Sequence, residues 1–208
     1  MKKLQKLPPN IAKEMLGVFL APDGNNKAQK KVLAEKMQLY SEYIRTGHVS
    51  RHEAWVSLNM VTMKSLEYSL PALSLNEKDY TDIMKPVFKQ FLPKMGINRN
   101  IKRDLLYATS EVQGLNLKNP FITQGTAHIK DIIEHLWKET LTGHLMKSNL
   151  EQLRIELGEN IDIFNSKFTD HSDIIFTSSY MKDTWAFATK YDISFNDKTA
   201  KIQSNRMG

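Results

Sequence analysis

The stretch "HVSRHEAWVSLNM", His48–Met60, decides how the chain is read. Ser50 and Glu53 stand three residues apart at the head of an apolar-periodic run. That is a capping box: the serine hydroxyl accepts from the third backbone N–H, and the glutamate reaches back to the first. A helix is expected from there to about Leu66, burying Trp55 and Leu58. Ser74-Leu75-Asn76-Glu77 has the same form and opens a helix through Tyr80, Ile83, Met84 and Val87. Pro86 supplies no amide N–H, so a kink or break is expected there. Ser148-Asn149-Leu150-Glu151 is a third box, before Leu150, Leu153 and Leu157, with Gly158 as the stop.

Outward from these boxes the pattern stays helical. "KAQKKVLAEKMQLYSEYIRTG", Lys27–Gly47, places Val32, Leu33, Met37, Tyr40 and Ile44 at helical spacing, and Gly47 can supply a left-handed cap. "TQGTAHIKDIIEHLWKET", Thr123–Thr140, is the cleanest amphipathic segment, with Ile129, Ile132, Ile133 and Leu136 on one stripe. "MLGVFL", Met15–Leu20, before "APDGNN", reads as a strand and a turn. Asp104–Leu117 reads as two short extended pieces around a turn. Past Asn160 the periodicity weakens into a β-leaning run near Ile174, a helical turn around Trp185 and a second extended run at 191–195. The fold class is mainly α: a helical bundle with a short N-terminal β piece and a minor β element.

Composition sets the limits. A chain of 208 residues that is 41% hydrophobic can fill a core. No apolar run approaches the ~20 residues of a membrane helix, and the basic start "MKKLQKLPPN" lacks the apolar block of a secretory signal. The absence of cysteine excludes disulfides, zinc-thiolate sites and thiol catalysis. An intracellular setting, cytoplasmic or nuclear, is expected.

There are 29 Lys and Arg against 23 Asp and Glu, a net charge of +6. "KPVFKQFLPKMGINRNIKRD" carries Lys85, Lys89, Lys94, Arg99, Lys102 and Arg103, with no carboxylate before Asp104. A helix end with lysines that merely complement the dipole accounts for Lys89 and Lys94. It does not account for Arg99, Lys102 and Arg103, which follow Gly96 onto a loop. Lys, Arg, Asn and main-chain N–H groups are what backbone phosphates meet. The candidate nucleic-acid-binding residues are therefore Lys85, Lys89, Lys94, Asn98, Arg99, Lys102 and Arg103. The rival reading is a helical interaction module whose basic face meets an acidic protein.

Other chemistry is poorly represented. His128, Asp131 and His135 share an edge of one helix, but no fourth metal ligand is indicated, and polar flanks of an apolar stripe are ordinary surface. No Gly-x-Ser-x-Gly elbow, Walker-type loop or Gly-x-Gly-x-x-Gly occurs. Asp79/Asp82 and Asp170/Asp173 have helical spacing but do not follow a strand-turn that would present them to metals. No catalytic residue is assigned.

"LGVFLAPDGN", "HVSRHEAW", "LEYSLPALSL", "FLPKMGINRN", "EVQGLNL", "TQGTAHIKDIIEHL", "TLTGHL" and "LEQLRIELG" follow one another from about Met15 to Trp185. In this order they resemble the region just after the palm in reverse transcriptases of retrotransposons from unicellular eukaryotes. The resemblance implies an end-of-palm, primer-grip-like hairpin over 1–24, a helical thumb-like domain over 25–158, and an incomplete extension over 159–208. It implies a piece of an RNA-directed DNA polymerase that holds an RNA/DNA template–primer duplex and partners the remaining palm and fingers. Magnesium is implied only for the parent polymerase, with no cofactor for this chain.

Overall fold

The computed structural model describes residues 8–176 and 179–194. The chain divides into two compact units, Met1–Thr123 and Gln124–Gly208, a boundary that falls inside the expected 25–158 domain. The described residues are mainly helical, with one two-stranded antiparallel sheet.

In the first unit, β1 (Lys13–Met15) pairs with β2 (Val18–Leu20) in a tight hairpin, where the apolar run by itself read as one strand before a turn. Leu16 and Gly17 both have positive φ, 51° and 80°, which is the two-residue turn that matches strand twist. Helix α1 (Lys27–Thr46) follows, burying Leu33, Met37 and Ile44. Gly47 does not adopt the expected left-handed cap; it is extended, and its N–H bonds to the Tyr43 carbonyl at 2.9 Å. A Cβ there would lie 2.8 Å from that same oxygen, so the glycine serves a close approach.

The Ser50–Glu53 box forms as expected, with Glu53 N–H donating to the serine hydroxyl and Ser50 N–H to the glutamate. It opens α2 (Arg51–Val56), which continues through a π-helical stretch, Ser57–Met63, into α3 (Lys64–Glu67). Leu58 is fully buried, while Trp55 is half-buried. Thr62 Oγ1 reaches back five residues to the Ser57 carbonyl, inside the π stretch.

Helix α4 (Glu77–Lys94) is capped two residues later than expected, by Asn76 with Asp79. Leu73 and Leu75 explain the shift: both are buried, so the chain stays extended through them before it can turn. The expected break at Pro86 does not occur. The helix passes Pro86 and Pro93 because the carbonyls they leave unbonded belong to Asp82 and Lys89, both exposed to water. Tyr80, Ile83, Met84, Val87, Phe88, Phe91 and Leu92 form the buried face of α4, packed against α1.

Asp104–Leu117 is not a pair of extended pieces. α5 (Arg103–Tyr107) and a 3₁₀ turn at Ser110–Val112 fill it. Gln113, at φ 60°, then reverses the chain, so that Leu115 and Leu117 N–H groups bond to the Leu105 and Leu106 carbonyls. Buried Leu106 and Leu117 hold this fold-back to the core.

Helix α6 (Pro120–His135) carries the expected stripe, with Ile132 and Leu136 fully buried and Ile129 and Ile133 half-buried. In the second unit α7 (Leu141–Leu157) runs through the third expected box. Thr140 is its cap, accepting from Gly143 N–H, and Ser148 sits mid-helix. Gly158 stops it at φ 68°, as expected. The β-leaning run near Ile174 forms turns, not a strand, and α8 (Tyr180–Lys190) is a full helix rather than a turn. The minor β element is thus absent among the described residues, and the second extended run lies partly outside them. Trp185 anchors this core with Leu150, Leu153, Phe164 and Met181.

The caps give a paired prediction. Asn76→Ala should lower stability by about 1 kcal/mol, whereas Ser148→Ala, inside a helix, should leave it unchanged or raise it slightly. Urea unfolding of both variants checks this; the reverse order would put the helix starts back at the sequence-derived boxes.

Candidate nucleic-acid interface

The seven candidate residues occupy α4 from its middle onward, the loop after it and the first residue of α5. Gly96, at φ 79°, makes the turn that takes the charges off the helix. Lys85 and Lys89 are exposed one helical turn apart. Arg99 and Lys102 are exposed on the loop. Lys85, Lys89, Arg99 and Lys102 make no ion pair with any described residue. Some cations elsewhere are paired, Lys30 with Asp79, Lys64 and Lys118 with Glu67, Lys147 with Glu139 and Arg154 with Glu151. Lys13, Lys27, Lys36, Lys78, Lys130 and Lys167 are also exposed without an ion pair among the described residues, scattered along the chain rather than crowded in one segment.

The other candidates have structural engagements. Lys94 is half-buried and its Nζ donates to the Gly47 carbonyl at 3.0 Å, just past the C-terminus of α1. A cation is favourable at that dipole end, so this lysine fixes α4 to α1. Asn98 Oδ1 accepts from the Asn100 N–H at 2.8 Å and shapes the loop. The Arg103 guanidinium lies 5.0 Å from the centroid of the Phe88 ring.

Arg51 was not legible as part of this group. Its guanidinium packs so close to Gly96 that a Cβ there would meet it at 3.2 Å. The first position of a capped helix thereby adds a cation at the root of the basic loop. Only the fold brings positions 51 and 96 together.

Two grooves flank α4 in this unit. The larger, of about 840 Å³, runs between α1 and α4, with Glu35 and Glu42 on the α1 side and Lys85 and Lys89 on the α4 side. The smaller, of about 340 Å³, is lined by Tyr80, Phe88, Tyr107 and Phe121 together with Lys85, Arg103 and the carboxylates Glu77, Asp82 and Asp104. A run free of carboxylate in sequence is therefore bordered by carboxylates in space.

Tyr107 reports on the smaller groove. Burial is the main reason its phenol is pushed up to about 12; Arg103 pulls it down and Glu77 pushes it further up. The folded state thus favours the neutral phenol. The stability this contributes is complete below the unfolded value of about 10 and is lost as pH rises through about 12. Tyr107→Phe should therefore lose stability less steeply than the wild type between those pH values. Urea midpoints across that range test this, and equal slopes would contradict it.

His128 does not flank the apolar stripe as a polar surface residue. It is buried, its ring centroid 4.4 Å from that of Tyr180, whose hydroxyl lies 3.4 Å from Asp131 Oδ2. Among the described residues no group of three His, Asp or Glu side chains is placed to hold a metal ion, and no helix is long and apolar enough to cross a membrane. No family model matches the chain, and neither a curated protein nor a solved structure matches it.

Proposed function

We propose that this chain is a non-catalytic part of a retroelement reverse transcriptase, thumb-like in role, that holds the template–primer duplex by its backbone phosphates. One observation carries the reading: exposed cations, without an ion pair among the described residues, strung from Lys85 and Lys89 on α4 to Arg99 and Lys102 on the following loop. Flexible lysines and arginines on a helix and loop suit phosphates, because such contacts fix position without reading sequence. Arg51 and Arg103 extend the same cationic surface. The assignment to a retroelement polymerase, with its palm and fingers as partners, rests on the ordered motifs from Met15 to Trp185.

The rival reading is an acidic protein partner that meets the same exposed cations, Lys85, Lys89, Arg99 and Lys102. Titration separates the two. The purified chain is mixed with an RNA/DNA hybrid and, separately, with polyglutamate of matched total charge. Tighter binding of the hybrid supports the duplex role. Equal affinity, or preference for polyglutamate, would favour the protein partner.

A further inference from the structure

Helix α7 is apolar on two sides. Gly143, Leu150, Leu153 and Leu157 are its buried residues. On the opposite side of the helix Leu141, Leu145 and Ile155 are 76%, 62% and 80% exposed. With exposed Ser148 and Gln152 they form one stripe, Leu141, Leu145, Ser148, Gln152 and Ile155, at alternating spacings of four and three. That spacing is the seam of a helix that pairs with another helix, and here it runs along the side turned away from the core. A surface helix is ordinarily polar on that side.

The order of residues in the seam selects the partner. Leu145, Ser148, Gln152 and Ile155 read apolar, polar, polar, apolar from either end. A second copy of α7, laid antiparallel and centred on position 150, sets Leu145 on Ile155 and Ser148 on Gln152. Each contact is then made twice, as a two-fold axis requires. Gln152 donates one N–H to Glu156 of its own helix at 3.4 Å, which leaves its carbonyl and second N–H for Ser148 of the other copy.

Charge selects the same direction. The C-terminal end of α7 and the turn after it carry Glu151, Glu156 and Glu159 against Arg154, which pairs with Glu151 at 2.8 Å. The N-terminal half is close to neutral, with Lys147 and His144 against Glu139 at 2.9 and 3.5 Å. A parallel pair would lay the acidic half on itself. The antiparallel pair lays it on the neutral half and leaves only Glu151 near its own copy, with Arg154 beside it.

We propose that the protein forms a homodimer in which α7 docks antiparallel on the α7 of a second copy. One helix from each copy is a small contact beside the roughly 1,200–2,000 Å² of stable complexes, so the dimer is weak and depends on concentration. The proposal is independent of the duplex role, whose cations belong to the first unit.

Sedimentation of the purified chain from about 10 µM to about 1 mM, the range of weak complexes, tests it. The average mass should rise from 24.0 kDa towards twice that value. Leu145→Glu and Ile155→Lys alter exposed positions, so each variant should keep the wild-type urea midpoint. Each alone should dimerise at least about tenfold more weakly, because a charge enters an apolar layer. An equal mixture of the two should regain the dimer. In the antiparallel pair the introduced carboxylate meets the introduced amine, and the other layer keeps its native leucine and isoleucine.

A mass that stays at 24.0 kDa throughout overturns the proposal. So does a dimer that neither variant weakens, because its contact lies elsewhere. Association lost in both variants and not regained in the mixture overturns the antiparallel pairing. A large fall in the urea midpoint of either variant would mean that the chain itself covers this face, which overturns the second copy as its occupant.

Discussion

Replacing Arg99, Lys102 and Arg103 together with alanine is expected to weaken duplex binding by roughly ten- to hundredfold. Each exposed charge pair with a phosphate is worth about 0.5–1 kcal/mol, so three together reach that range. The weakening should be the same for every duplex sequence, because phosphates are common to all. The salt dependence should also flatten, by about 0.9 in log–log slope for each phosphate of B-form DNA that is no longer neutralised. Stability should fall little. Arg99 and Lys102 are exposed without ion pairs among the described residues, and Arg103 contributes only its stacking on Phe88, about 0.5–1 kcal/mol. Glu156→Ala and Glu159→Ala, at and beyond the end of α7, serve as controls that should not weaken binding. Unchanged affinity and slope in the triple variant would reduce the basic loop to solvated surface.

Trp185→Ala is expected to destabilise the second unit by about 3–5 kcal/mol, the usual cost of emptying a large buried aromatic site. Trp185 is fully buried, packs edge to face on Phe168 at 5.3 Å, and donates its indole N–H to the Ser166 carbonyl at 2.8 Å. Alanine leaves both a cavity and an unsatisfied acceptor. Trp185→Phe refills most of the space and should recover part of the stability. Denaturant unfolding followed by circular dichroism measures both. A destabilisation under about 1 kcal/mol for the alanine variant would mean that the tryptophan does not organise this core.

What could be read from the sequence depended on how local the deciding interaction was. The Ser50–Glu53 box was legible because both partners lie within one turn and nothing competes with them. At α4 the box read at Ser74 gave way to one at Asn76 with Asp79, because Leu73 and Leu75 are buried ahead of the helix. At α7 Thr140 carries the cap with Gly143, not a glutamate, at the third position, so only half of the expected signature was present. The five residues of α5 are too few to show a helical period, and the fold-back after it depends on Leu106 meeting Leu117. The π stretch inside the second helical run left no signal that was recognised.

The candidate interface shows the same division. The exposure of Lys85, Lys89, Arg99 and Lys102 agrees with their crowding in one short segment. The engagement of Lys94 with Gly47, the approach of Arg51 to Gly96 and the stacking of Arg103 on Phe88 are tertiary facts with no counterpart in spacing. Asp82, one helical turn before Lys85, and Asp104, next to Arg103, border the run in sequence as well, whereas only the fold brings Glu77 into one groove with Arg103.

The most direct measurement is the wild-type affinity for several unrelated duplexes over a range of salt concentrations. Phosphate binding by Lys85, Lys89, Arg99, Lys102 and Arg103 predicts a log–log slope near −4.5 for B-form DNA, at about 0.9 per phosphate neutralised. The slope should be the same for every sequence. A slope near zero, or affinity that follows base sequence at constant salt, would contradict a protein that grips the duplex by its phosphates.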